Sequence, residues 1–368
     1  PGLKGRLTHF AQKCGRSDSV RPETTEDQIA GTGSGRPVQR PIFHNENCCD
    51  LVAPVAKYLP EFKDLQVQVE HRDPATGKTE MALEPQKRPM TVQDLLRHTA
   101  GLVYAPPIGM GPVSLLYRDS NMSNRDETLA QMVTKLSMLP LEHQPGEVWE
   151  YSMATDVLGR VLEVVTGMDL DRVLEERVTK PLGMASTGFY IREADRDRVA
   201  QPRIDPATGQ RPAFFDPAAK PKRLSGGGGA VSTASDYLRF CQMMMAGGKF
   251  GSTRVLAPST VTLMTTNALR AGIGYSMAAL TRSGDIAPTP AMGQGFGLGF
   301  SIRTEAGQNP LPGSVGSYYW TGAYGTTFYV DPEDKMILIM MIQVPLSEGA
   351  SYRRTVRYLT YQALTSVE

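Results

Sequence analysis

The chain has 368 residues, of which 40% are hydrophobic and 21% charged, and its formal net charge at pH 7 is +1. These values are typical of a globular protein with one large domain or two interdigitated ones. The near-neutral charge provides no basic field for nucleic acid, and no apolar run reaches the ~20 residues of a membrane span. The N-terminus lacks the charged-then-apolar profile of a secretory signal, so a cytoplasmic location is favoured while the compartment stays open.

The cysteines do not form a metal-binding or disulfide pattern. Cys14, Cys48, Cys49 and Cys241 include no C-x-x-C pair, and His44 has no second ligand pair at zinc-site spacing. A chain of this length with so few cysteines is not a disulfide scaffold. The sequence therefore implies no metal and no organic cofactor.

The first part of the chain divides into an irregular segment and the start of a fold. Residues 1–40 are polar and rich in Gly, Pro, Ser, Thr and Arg, which predicts an irregular N-terminal segment. Thr91-Val-Gln-Asp94 has the spacing of a capping box and predicts a helix that stops near Gly101. Residues 103–125 contain repeated glycines and prolines and are predicted to form a loop.

The middle of the chain is predicted to be mostly helical, because apolar residues recur there at helical spacing. Helices are expected over 129–136, over 157–165 with a stop at Gly167, after Asp169, which is expected to cap the helix that follows it, and from Thr233 to Met244.

The last third changes to strand patterns separated by turn residues. Strands are predicted over Phe296–Arg303, Ser317–Trp320, Thr326–Val330 and Met336–Gln343, followed by a helix over Ser351–Leu364. Helices followed by an antiparallel meander indicate an α+β fold.

Three segments carry a resemblance to a known family. They read Thr91-Val-Gln-Asp-Leu-Leu-Arg-His-Thr-Ala-Gly-Leu102, Gln144-Pro-Gly-Glu-Val-Trp-Glu-Tyr-Ser-Met153, and Trp320-Thr-Gly-Ala-Tyr-Gly325. In this order they resemble the class C β-lactamase-like, penicillin-binding-protein-like serine hydrolases, and in particular the esterase-type branch. The resemblance extends from about Val52 to the C-terminus.

The resemblance implies an architecture. It predicts an antiparallel sheet flanked by helices, with a sheet domain built from residues 41–102 and 225–368. A mostly helical insertion domain is expected over residues 103–224.

The family transfers acyl groups through a serine ester, and the resemblance assigns a proton-transfer tyrosine to Tyr151, in Tyr151-Ser-Met153. A phenol has an ordinary pKa of ~10, so it acts as a base only where a nearby cation stabilises the phenolate. Met153 stands where β-lactamases carry Asn, and an apolar residue there is similar to the esterase-type members.

The resemblance also places a substrate wall on Trp320, Thr321 and Gly322, where β-lactamases carry Lys-Thr-Gly. The backbone N–H of Ala323 is then expected to supply half of an oxyanion hole. Trp in place of Lys removes a cationic partner for a β-lactam carboxylate and favours ester substrates. His98 is interpreted as a structural residue rather than a base, and His143 as a loop residue.

The nucleophile motif is missing. No lysine has a serine three residues before it, so Ser-x-x-Lys is absent, and so is Gly-x-Ser-x-Gly. By resemblance the serine belongs near Asn47 and the lysine near Asp50, within residues 44–53. This polar segment is too short for the ~11–12-residue helix expected to carry the nucleophile.

Three explanations stay open: an internally deleted sequence, a natural pseudo-enzyme, or an enzyme with a relocated nucleophile such as Cys48 or Cys49. The parent function is hydrolysis or transfer of acyl groups from small-molecule esters or amides, as in a carboxylesterase. The alternatives are an inactive member that serves as a binding module, and a β-lactamase or D,D-peptidase. The sequence leaves the oligomeric state open.

Overall fold

The computed structural model describes residues 50–206, 208–211, 216–282, 287–344 and 346–364. The predicted irregular segment 1–40 and the candidate nucleophiles Cys48 and Cys49 lie outside the described residues.

Strands and helices are numbered in chain order. The strands are β1 (Gln66–Arg72), β2 (Thr79–Pro85), β3 (Val148–Trp149), β4 (Lys249–Phe250), β5 (Thr253–Arg254), β6 (Gly274–Tyr275), β7 (Gln294–Phe296), β8 (Ser301–Arg303), β9 (Tyr318–Thr321), β10 (Thr327–Asp331) and β11 (Met336–Met340). The helices are α1 (Val92–Leu96), α2 (Pro112–Asp119), α3 (Leu129–Leu136), α4 (Ala154–Thr166), α5 (Leu170–Leu174), α6 (Lys180–Leu182), α7 (Ala234–Met245), α8 (Pro258–Met264), α9 (Met277–Arg282) and α10 (Leu346–Gln362).

The main sheet is an antiparallel meander with the spatial order β11-β10-β9-β8-β7. Side chains alternate between its faces. Tyr318 and Phe328 pack in a core with Met244 of α7, whereas Tyr319 and Tyr329 pack with Val356 of α10. The predicted α+β fold, an antiparallel sheet flanked by helices, is confirmed.

Local sequence signals account for several helix ends. The Thr91 hydroxyl accepts from the Asp94 backbone N–H and the Asp94 carboxylate accepts from the Thr91 N–H, which completes the capping box that begins α1. Gly167 adopts the left-handed conformation (φ 67°) and ends α4, as predicted. The Thr233 hydroxyl accepts from the Asp236 backbone N–H and so caps α7, without the reciprocal contact seen at α1.

Two large apolar cores and two smaller clusters fill the described part of the chain. The first extends from Val55 to Val173 and also includes Phe189 and Leu224. The second lies between α7 and the main sheet, from Leu182 to Val330. The boundaries 41–102, 225–368 and 103–224 stay a prediction.

Four local expectations were wrong. The predicted strand Phe296–Arg303 is the hairpin β7–β8, since the Gly-Leu-Gly sequence before Phe300 turns the chain. Residues 103–125 contain α2, because Pro112 occupies its first position, where a proline starts a helix rather than breaking it.

The other two concern helix ends. Helix α1 ends at Leu96, well before Gly101. Gly101 is required because an added Cβ would lie 2.0 Å from the His143 carbonyl oxygen. Asp169 precedes α5, but its side chain makes no capping hydrogen bond.

Among the described residues, no helix is both long and apolar enough to span a membrane.

Candidate active site

Tyr151 lies in the short connection between β3 and α4, and its ring is half-buried in an aromatic cluster. Its ring centroid is 5.4 Å from that of Trp320 on β9, 5.0 Å from His98 and 5.1 Å from Tyr104. The fold therefore brings the predicted proton-transfer tyrosine and the predicted site wall together, although they are far apart in the sequence.

Phe296 of β7 and Trp149 of β3 form the buried part of the aromatic cluster. Phe296 lies 5.3 Å from Trp320 and 5.6 Å from Trp149 between ring centroids. Both Phe296 and Trp149 are fully buried. The wall around Tyr151 is thus built of edge-to-face and tilted aromatic pairs, an arrangement that rings favour because of their quadrupoles.

The phenol of Tyr151 is held neutral. Burial raises its pKa, and the nearby Asp156 carboxyl acts in the same direction, while hydrogen bonding with Tyr104 and Trp320 only partly opposes this. None of these neighbours is a cation. The arrangement therefore favours Tyr151 as a hydrogen-bond donor over Tyr151 as a phenolate base.

The glycine-rich segment Ser225–Gly229 packs against the Tyr104 hydroxyl and the first residues of α4. The Ser225 hydroxyl donates to Asp156 Oδ1 over 2.5 Å, and the Gly227 backbone N–H also hydrogen-bonds to Asp156. A Cβ on Gly227 would lie 2.8 Å from three oxygens at once, those of Asp156 Oδ2, Thr155 Oγ1 and Tyr104 Oη. The loop can approach this closely only because residue 227 has no side chain.

His98 is a buried, neutral member of the cluster. Its Nδ1 accepts from the Ser152 backbone N–H at 3.4 Å, and burial lowers its pKa to about 3. A base needs a pKa near the working pH. These properties fit the interpretation of His98 as a structural residue.

The predicted wall continues into the β9–β10 turn. Thr321 ends β9 and pairs with Thr327, and the Gly322 N–H donates to the Thr326 carbonyl oxygen at 2.8 Å. A Cβ on Gly322 would lie 2.0 Å from Thr326 Oγ1, so a side chain here would force the Thr326 hydroxyl to move. Ala323 is exposed, and within the described ranges its N–H has no hydrogen-bond acceptor.

Sequence reasoning missed Tyr104, Trp149, Phe296, Asp156 and Ser225. Trp149 stands within the motif that identified Tyr151, and Tyr104 follows the His98 motif closely, so both were near a recognised signal. Phe296 has no such signal in the sequence, because a single aromatic residue in a strand is typical of any core.

An open groove of about 610 Å³ lies beside α1, but none of these residues lines it.

Comparisons with known proteins identify the family. A family model described as Beta-lactamase matches residues 44–362. "Protein Rv1367c" of Mycobacterium tuberculosis (strain ATCC 25618 / H37Rv) is 34% identical over 296 residues, covering 79% of this chain and 70% of that protein. "Esterase EstB" of Burkholderia gladioli is 30% identical over 305 residues, covering 76% and 67%.

Solved structures of similar fold include EstCE1, described as a hydrolase with promiscuous acyltransferase activity. It has a TM-score of 0.64 and 27% identity, over 85% of this chain and 78% of that one. Unliganded simvastatin synthase (LovD) from Aspergillus terreus, with a TM-score of 0.62 and 22% identity over 86% and 79%, shows the fold alone. The chain belongs to the Beta-lactamase family of penicillin-binding-protein-like serine hydrolases.

Proposed function

We propose that the Tyr151–Trp320 site recognises small acyl esters, and that the parent reaction is hydrolysis or transfer of the acyl group through an acyl-enzyme. One observation carries the proposal: an indole, rather than an ammonium group, lies 5.4 Å from the Tyr151 ring. An indole offers apolar surface to an uncharged ester and no charge partner to a β-lactam carboxylate. The names of EstB and EstCE1 are consistent with this direction.

In this proposal three groups act on the ester. The neutral Tyr151 hydroxyl donates to the alkoxy oxygen and transfers its proton to the departing alcohol, and the phenolate so formed takes a proton back from the water that later hydrolyses the acyl-enzyme. The Ala323 N–H donates to the carbonyl oxygen as negative charge develops there. Trp320, Thr321 and Gly322 form the wall along which the acyl group lies.

The nucleophile is the missing part of this reaction. Residues 44–53 lack Ser-x-x-Lys, although the family match begins at residue 44. A thiolate of Cys48 or Cys49 would attack the carbonyl carbon, form a thioester, and release the alcohol, after which water would release the acid.

A second candidate function is ligand binding without turnover. The observation that favours it is the set of groups that act on the Tyr151 phenol in the described part of the chain, since none of them is a cation that would stabilise a phenolate. Such a module would keep affinity for esters and phosphonates but would form no covalent adduct.

The test combines a fluorophosphonate probe, turnover of p-nitrophenyl acetate and butyrate, and peptide mapping of any adduct. Tyr151→Phe, Cys48→Ala and Cys49→Ala are measured beside the unchanged chain, with a chromogenic β-lactam as the competing substrate. Ester turnover reduced ~10²–10⁴-fold by Tyr151→Phe supports the hydrolase, since removing a proton-transfer group costs about that much.

Each other outcome has a distinct meaning. Binding of a non-hydrolysable phosphonate, seen as a change in tryptophan fluorescence without adduct or turnover, supports the binding module. Faster turnover of the β-lactam than of either ester contradicts ester selectivity. Neither binding nor turnover by the folded protein contradicts both candidates.

A further inference from the structure

A polar layer lies on the face of the main sheet that packs against α10. Tyr319 and Tyr329 stack there with ring centroids 4.4 Å apart, and Ser301 is directly opposite Tyr319 in the β8–β9 register. Arg303 lies two residues further along β8 and therefore on the same face, where it is opposite Gln294. The Gln294 amide donates to the Tyr319 hydroxyl at 2.9 Å.

Two arginines are buried in this layer. Arg303 is 4% exposed and Arg357 of α10 is 1% exposed. The Arg357 guanidinium lies over the rings of Tyr329 and Tyr319, at 4.4 and 5.6 Å. Arg303 donates through Nη2 to the Leu311 carbonyl oxygen at 2.6 Å. As far as the described residues extend, neither guanidinium has a carboxylate within 4.0 Å.

The layer also contains buried polar atoms that lack a hydrogen-bond partner among the described residues. Each belongs to a side chain that is less than a tenth exposed. They are Gln294 Oε1, Ser301 Oγ, Arg303 Nε, Asn309 Nδ2 and Arg357 Nε. Most of them are N–H or O–H donors, and turning the Gln294 amide, so that its oxygen accepts from Tyr319, would convert the remaining acceptor into a donor.

Counted over the described residues, the charges of the layer do not balance. Arg303 and Arg357 contribute two positive charges, and Asp331, which is fully buried, contributes one negative charge. The Asp331 carboxylate is already satisfied by the Tyr361 hydroxyl at 2.6 Å and the Ser314 N–H at 2.9 Å. The adjacent Asp334 is only half-buried, so its charge faces solvent rather than the layer, and its Oδ2 accepts from the Ser314 hydroxyl at 3.1 Å.

An arginine cannot remove this imbalance by losing its proton, since its pKa is too high. Burying an unpaired charge is costly, and the two tyrosine rings offset only part of this cost. Unpartnered donors and an excess of one positive charge call for a group that is both an acceptor and singly negative. Water supplies the acceptor but not the charge.

We propose that Arg303, Arg357, Ser301 and Asn309 form a binding site for one small monovalent anion, such as chloride, behind the main sheet. The site lies on the sheet face opposite to the α7 core and is separate from the Tyr151–Trp320 site. The anion has a structural role: it neutralises the guanidinium groups of Arg357 on α10 and Arg303 on β8, and so stabilises the packing of α10 against the sheet.

The test measures how stability depends on chloride. Thermal midpoints are recorded at constant ionic strength while sodium gluconate is replaced by sodium chloride or bromide, for the unchanged chain, Arg357→Met and Arg354→Met. Arg354 lies on the same helix but is exposed, so it is the matched control. We expect the midpoint to rise with the logarithm of halide concentration for the unchanged chain and Arg354→Met, and to be flat for Arg357→Met.

A second measurement holds even if Arg357→Met does not fold. Crystals of the unchanged chain grown in bromide should show an anomalous peak within contact distance of the Arg303 and Arg357 guanidinium groups. A flat halide dependence together with no peak overturns the proposal and leaves ordered water in the layer. A peak at exposed arginines alone, with the same halide response in all three proteins, overturns it equally.

Discussion

Gly227 is the residue on which the position of Tyr104, and through it Tyr151, depends. Its backbone is in a conformation that any residue can adopt, so replacement by alanine tests the room available for a methyl group and not backbone strain. The added methyl would lie 2.8 Å from the Tyr104 hydroxyl and from two oxygens of α4. Gly227→Ala should therefore cost about 1–3 kcal/mol by overpacking, and ester binding or turnover should fall by up to ~10²-fold as Tyr104 moves.

The neighbouring glycine provides the control for this prediction. A Cβ on Gly228 would meet open space. Gly228→Ala should change the free energy of unfolding by less than ~0.5 kcal/mol and leave ligand binding as it was. Urea denaturation and phosphonate binding of both variants check the contrast. Equal effects at the two positions would show that loop flexibility, and not contact with Tyr104, decides the outcome.

His98 makes stability depend on pH. Burial lowers its pKa to about 3 in the folded protein, whereas an unfolded imidazole has a pKa of ~6.5. Between these values the unfolded chain binds a proton that the folded chain does not. Stability should therefore fall as the pH falls below ~6.5, by up to about 1.4 kcal/mol per pH unit, and be restored as the pH rises.

The measurement compares urea midpoints at pH 7.5, 6 and 5 for the unchanged chain and His98→Asn. Asparagine tolerates the positive φ of 55° at this position and can still accept from the Ser152 N–H. The variant should lose most of the pH slope in this range. An unchanged slope would assign the acid sensitivity to another group.

At the residue scale, the sequence predicted the partners at the centre of the site and missed those around them. Tyr151 and Trp320 were predicted through motifs, since both stand beside characteristic glycines, serines and threonines. Tyr104 and Phe296 reach the site through packing between distant segments, which spacing along the chain does not encode. The contact of Gly227 with three oxygens likewise exists only in three dimensions.

At the scale of single elements, helix α1 is stabilised by an unusually well-connected cap. Arg88 binds both oxygens of the buried Asp94, at 2.7 and 2.9 Å, and Arg97 adds a contact at 2.9 Å. Burial alone would raise the pKa of Asp94, but hydrogen bonds from Arg88, Thr91 and Arg97 lower it to about 2. The carboxylate is therefore charged at neutral pH.

Asp94→Ala should cost about 3–5 kcal/mol, because it leaves a partly buried arginine pair without its carboxylate. Gln131→Ala is the matched control, since Gln131 completes the same capping box at α3 but is joined there to Thr128 in an exposed setting. That change should cost about 1 kcal/mol or less. Urea denaturation of both variants checks the difference. Equal costs would mean that the cap alone, and not the ion pairs, stabilises α1.

Elements with strong local signals were predicted well, and those set by tertiary contacts were not. Helix α3 was predicted over its exact residues, 129–136, because its apolar periodicity and flanking residues agree. The hairpin β1–β2 was missed, since its alternation is limited to Val67 with Val69 and Met81 with Leu83, and most of its other residues are polar. Helix α2 was hidden by the glycines and prolines around it.

At the scale of the whole molecule, both tryptophans lie in the aromatic cluster, where segments of the two apolar cores meet. His98 belongs to the segment that forms the first core, Trp320 packs against the second, and Trp149 and Phe296 lie fully buried in the cluster. Residues Val148–Trp149 and Gly274–Tyr275 add a parallel pair of strands across the same boundary. Tryptophan fluorescence therefore reports on this boundary alone.

We expect the boundary to open only when the whole molecule unfolds. Trp149 and Phe296 each bury about 150–250 Å², which at ~25 cal/mol per Å² amounts to about 4–6 kcal/mol apiece. Their sum is similar to the ~5–15 kcal/mol that separates a folded domain from its unfolded state. Urea transitions followed by tryptophan fluorescence and by far-UV circular dichroism should then coincide. Trp320→Phe, which leaves Trp149 as the reporter, should give the same midpoint by both methods, whereas a fluorescence change at lower urea would mean that the two cores separate before either unfolds.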